Sequence, residues 1–121
     1  PETTWKGGSL ALDLDRSRDG EVTEHATTAL PGDRLRVRLT CPPGERPWDL
    51  VVYQRGQASF PLDATAPLRC GNRVALPGAF TFDSPGPAQV CVTLSPTPRS
   101  TLALGPNTLS DGSVCARLSV E

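Results

Sequence analysis

Four stretches of this chain alternate apolar and polar residues with a period of two. Leu10, Leu12 and Leu14 interleave with Ala11, Asp13 and Asp15. Leu35, Val37 and Leu39 interleave with Arg34, Arg36 and Arg38. Val90, Val92 and Leu94 interleave with Cys91 and Thr93, and Val114, Ala116, Leu118 and Val120 with Cys115, Arg117 and Ser119. A strand turns successive side chains to opposite faces, so each stretch buries one face and wets the other. No segment of helical length avoids Pro and Gly while carrying a 3.6-residue apolar stripe.

Turn chemistry separates the runs. The 13 prolines and 11 glycines fall largely between them, as punctuation. Asp19-Gly20 predicts a hairpin joining Leu10–Asp15 to Glu21–Thr27, and Arg55-Gly56 one joining Asp49–Gln54 to Gln57–Leu62. Pro31-Gly32-Asp33, Pro77-Gly78, Pro85-Gly86-Pro87 and Asp111-Gly112 introduce further strands, including Ala79–Phe82. The long connection after Leu94 is expected to hold a short strand at Thr101–Leu104. Seven or eight short strands at this spacing predict an all-β fold, an antiparallel β-sandwich of immunoglobulin-like architecture. A length of 121 residues fits a single domain, 1–121. The start at Pro1, without a Met, leads us to expect a piece of a longer exported or membrane-anchored protein.

The cysteines are Cys41, Cys70, Cys91 and Cys115. No two have zinc-knuckle or CxxC spacing, and His25 is the one histidine. An even count in a small β-rich chain predicts two disulfides and an oxidising compartment, periplasmic or secreted. Alternation places Cys41 inward with Leu35, Val37 and Leu39. It places Cys91 and Cys115 on the wet face of neighbouring strands. Cys91–Cys115 is therefore the preferred cross-strand link, leaving Cys41–Cys70. The rival is an inter-sheet Cys41–Cys91 bridge of immunoglobulin type, although the Tyr that accompanies it two residues earlier is lacking.

Chemistry-bearing patterns are sparse. No G-x-S-x-G elbow exists, and any His-based triad would have to use His25. Asp13-x-Asp15-x-Ser17-x-Asp19, with Glu24 eleven residues after Asp13, echoes a calcium loop. Yet Arg18 stands where the loop needs Gly. Arg34, Arg36 and Arg38 form a basic stripe with no stacking aromatics, and the net charge is −1. That argues against nucleic acid and for pairing with acids such as Asp13 and Asp15. Trp48 and Tyr53 are candidates for a sugar-stacking surface, with core roles as the plainer use. No 18-residue apolar run is present, so no membrane insertion by this segment is expected.

Thr4-Trp5-Lys6-Gly7-Gly8, followed by Leu10-Ala11-Leu12, resembles the start of exported domains in some high-GC Gram-negative bacteria. These follow the membrane span of anti-sigma-factor-like and other single-pass proteins. Leu30-Pro31-Gly32-Asp33-Arg34-Leu35-Arg36-Val37 resembles DUF4384-type β-domains, as does Trp48-Asp49-Leu50-Val51-Val52-Tyr53 with Arg55-Gly56 and Phe60-Pro61 following. The resemblance spans roughly residues 4–62 and implies a non-enzymatic accessory or sensory module. The expected function is thus a non-catalytic, extracytoplasmic sensor or protein-interaction domain with no cofactor and a protein partner. The alternative is a carbohydrate- or calcium-binding accessory module of a secreted enzyme.

Overall fold

The computed structural model describes residues 10–109 and 112–121. The Thr4–Gly8 motif, Trp5 and Asp111 of the Asp111-Gly112 turn lie outside the described residues. In chain order the strands are β1 (Ala11–Arg18), β2 (Glu21–Thr23), β3 (Thr28–Ala29), β4 (Arg34–Thr40), β5 (Gly44–Arg46), β6 (Asp49–Gln54), β7 (Gln57–Ser59), β8 (Leu68–Cys70), β9 (Val74–Ala75), β10 (Gly86–Thr93) and β11 (Ser113–Val120). One sheet has the order β2-β1-β4-β9, and the second β3-β11-β10-β6-β7. β5 and β8 form a separate ribbon. All pairings are antiparallel except β3 beside β11.

The expected alternation produces the sandwich. Leu14, Leu35, Val37 and Leu39 of the first sheet are buried in one core with Leu50, Val52, Val90, Val92 and Leu118 of the second. Each such side chain contributes roughly 1.5–3 kcal/mol when removed from water. Phe80 and Phe82 close the core with the edge of one ring against the face of the other, centroids 5.9 Å apart. The segment expected as strand Ala79–Phe82 makes a single bridge, Leu35 to Phe80, instead of a ladder.

Both expected hairpins form. Asp19 and Gly20 have φ of 52° and 82°, and Arg55 and Gly56 have 56° and 72°. Positive φ at both central residues is the turn that matches strand twist. The return strands are shorter than expected. β2 stops at Thr23 because the chain turns at His25 (φ 54°) and crosses to the second sheet as β3. β7 stops at Ser59, just before Phe60-Pro61, and a proline has no N–H to extend the ladder. These short pieces explain why the strands outnumber the seven or eight expected.

The disulfides are Cys41–Cys70 and Cys91–Cys115. Cys91 and Cys115 face each other in register across β10 and β11, with Cα atoms 4.0 Å apart. Cys41 and Cys70 join the end of β4 to β8. One expectation about them is corrected. Cys91 lies on the outer face of its sheet but is fully buried, with Val51 and Tyr53, in a second apolar cluster. The connection after β10 covers that face. It holds a helical turn, α1 (Arg99–Leu102), and a 3-10 turn at Pro106–Thr108, not the strand expected at Thr101–Leu104. A helical turn brings residues three apart to one side. Leu102 is thereby fully buried while Arg99 reaches Asp49.

Candidate functional site

The outer face of the β2-β1-β4-β9 sheet gathers most of the charged candidates. β1 presents Asp13, Asp15 and Ser17 there, and β4 presents Arg38, Arg36 and Arg34 directly opposite, in that order. Register alone would pair Asp13 with Arg38 and Asp15 with Arg36. The side chains do otherwise.

Arg73 alters the pairing. It stands in the turn between β8 and β9, with φ of 45°. That turn is tied down on two sides: Cys70 is bridged to Cys41, and the Cys41 N–H donates to the Gly71 carbonyl at 3.0 Å. The Arg73 N–H also donates to Thr40 Oγ1 at 3.1 Å. From this anchored position the Arg73 guanidinium donates to both oxygens of Asp13, at 2.8 and 3.3 Å. Asp13 holds that guanidinium above its ordinary pKa. With Asp13 engaged, Arg38 donates to Asp15 Oδ2 at 3.0 Å. The ladder has moved one rung. Arg36, whose register partner is Asp15, is exposed and pairs with no acid among the described residues. The same holds for Arg34, opposite Ser17. Beside them lies an open concavity of about 430 Å³, lined in part by Ser17, Val22, Arg34, Arg36 and Ala79.

At the end of the sheet lies a further ion pair, its carboxylate buried and its guanidinium partly exposed. Arg18 grips Asp33 with two hydrogen bonds, at 2.6 and 2.9 Å, and the Leu30 N–H donates to the same carboxylate at 2.8 Å. The Arg18 guanidinium, then the Leu30 amide, hold the Asp33 carboxyl down at about 2.

The calcium-like residues therefore have another use. Arg73 sits among Asp13, Asp15 (3.6 Å) and Glu24 (3.9 Å), where a bound cation would have to sit. Asp19 is a turn residue of the β1–β2 hairpin. Among the described residues no group of three or more His, Cys, Asp or Glu side chains is placed to hold a metal ion. His25 is exposed, with Nδ1 3.7 Å from Asp13 Oδ2. No serine hydroxyl hydrogen-bonds to it among the described residues.

The stacking candidates are also committed elsewhere. Trp48 is only 5% exposed, and its Nε1–H donates to the Ala66 carbonyl at 2.8 Å. The Tyr53 hydroxyl donates to the Leu102 carbonyl at 2.8 Å, and burial pushes the phenol above its usual pKa. Tyr53 is 9% exposed. The residues that sequence reasoning missed are Arg73 and Arg99. Arg99 grips Asp49 at 2.8 and 3.0 Å and lies over the Phe60 ring, 4.7 Å from its centre. Both act at separations of 50 residues or more, and no local pattern marks them.

Among the described residues no helix is long and apolar enough to cross a membrane. No protein-family model matches the chain, and no curated protein matches it. Among solved structures the chain is similar to the CARDB domain of a Pyrococcus furiosus protein, crystallised in complex with di-metal ions. The TM-score is 0.45 and the identity 14%, over 100% of this chain and 95% of that one.

Proposed function

We propose that this chain is a non-catalytic, extracytoplasmic interaction domain, carried by a membrane-anchored or secreted bacterial protein. The observation that carries the reading is the imbalance on the β1–β4 face. A regular, disulfide-anchored sheet holds two exposed arginines that pair with no acid among the described residues, beside a concavity. Charges arranged this way on a rigid surface steer and orient a partner of opposite sign. The two disulfides support the compartment, since such bridges persist where thiols are not kept reduced.

Export-dependent folding tests it. The chain is produced with and without an export signal in a bacterial host. The exported form is expected to have no free thiols and to resist protease, and the cytoplasmic form to be digested. A cytoplasmic form with four free thiols and equal resistance would contradict the assignment to an oxidising compartment.

A further inference from the structure

We infer that Arg34 and Arg36 form a docking site for an extended acidic peptide segment whose carboxylates recur at every second residue. The inference rests on the reading of this face as an interaction surface. Arg34 and Arg36 are two apart on one strand, so both point outward, roughly 7 Å from each other at the rise of a β-strand. An extended peptide has the same repeat, and its alternate side chains face one way. Acids at positions i and i+2 therefore meet the two guanidiniums without distortion of either chain. Arginine suits this task because its planar fork takes a carboxylate through two parallel hydrogen bonds.

Three features favour this occupant. Arg38 and Arg73 are already neutralised by Asp15 and Asp13, so the positive charge is confined to the Arg34–Arg36 end. Val22, 63% exposed, and Ala79 border the concavity and offer apolar footing beside the charges. Asp33, the acid closest in sequence, is held inward by Arg18 and does not compete.

The test uses the oxidised protein and fluorescence anisotropy at low ionic strength, where surface charges are least screened. The probes are a labelled peptide of alternating Glu and Thr, a block-scrambled peptide of the same composition, the Gln-Thr counterpart and a sulfated glycan. The alternating acidic peptide is expected to bind, more tightly than the scrambled one, and to be released by salt. Arg34→Ser/Arg36→Ser is expected to weaken binding about tenfold, two exposed pairs lost. Arg117→Ser, on the outer face of the other sheet, should leave it unchanged. A thermal melt of each variant shows whether it is folded. No binding of the alternating peptide, or binding indifferent to the double substitution, overturns the inference. So does arginine-dependent binding of the glycan alone. None of these results touches export-dependent folding, so the two proposals fail separately.

Discussion

The two outer faces of the sandwich have opposite fates. On the β6–β10–β11 side, Val51, Tyr53 and Cys91 are apolar and covered. Leu109 of the connection packs on them, the Tyr53 hydroxyl holds the Leu102 carbonyl, and Arg99 latches onto Asp49. On the β1–β4 side the charges border an open concavity, and Arg34 and Arg36 at the end of the arginine ladder pair with no acid among the described residues. The covered face is part of the fold. The open face is the one proposed here for recognition. A single architecture thus divides its surface between a covered apolar face and an open charged one by the residues placed at the outward positions of two strand sets.

That contrast can be broken from either side, and the covered face should respond most in stability. Leu102→Ala removes a fully buried side chain of the cover and is expected to cost about 2–5 kcal/mol in denaturant unfolding. A loss below about 0.5 kcal/mol would mean that the cover contributes no more than a surface site. On the open face, Arg73→Ala is expected to cost far less stability than that, because the pair it breaks is partly solvated. Its larger effect should be on binding. Asp13 is released to its register partner Arg38, Asp15 returns to Arg36, and acidic-peptide affinity falls although Arg73 is outside the proposed docking pair. Arg73→Lys should restore part of that affinity. Unchanged binding in Arg73→Ala would show that the ladder does not control Arg36.

The smallest effect expected is on the acid limb of stability. The folded Asp33 carboxyl, near 2, lies below its unfolded value of about 3.9. Its contribution is present above about pH 4 and is lost as pH falls towards 2. Asp33→Asn should flatten unfolding curves over that window and leave the slope at neutral pH alone. An unaltered acid limb in the variant would separate Asp33 from acid unfolding.

How far the two faces could be read from residues alone follows from the same contrast. β4 is written as strict alternation, Arg-Leu-Arg-Val-Arg-Leu-Thr, and it folds as written, with one face wet. β6 carries four apolar residues in a row, Leu50 to Tyr53, and all four are buried. Such a run signals burial on both faces, and it was the available clue that the outer side of that sheet is covered. Cys91 gave no such clue. Its parity was right and its environment was not, because what covers it comes from a connection that reads locally as a short strand and folds instead as a helical turn and a 3-10 turn. The acids and arginines of β1 and β4 were visible as a pairing. The shifted register was not, because Arg73 arrives through a turn set by a disulfide 29 residues in span.

The most direct measurement is an amide chemical-shift titration of the oxidised protein with the alternating Glu-Thr peptide. Saturable shifts are expected at Ser17, Val22, Arg34 and Arg36, with Val51, Tyr53 and Cys91 unmoved. Shifts centred on Val51, Tyr53 and the connection over them, with Arg34 and Arg36 silent, would contradict the division of the molecule into a covered face and a recognition face.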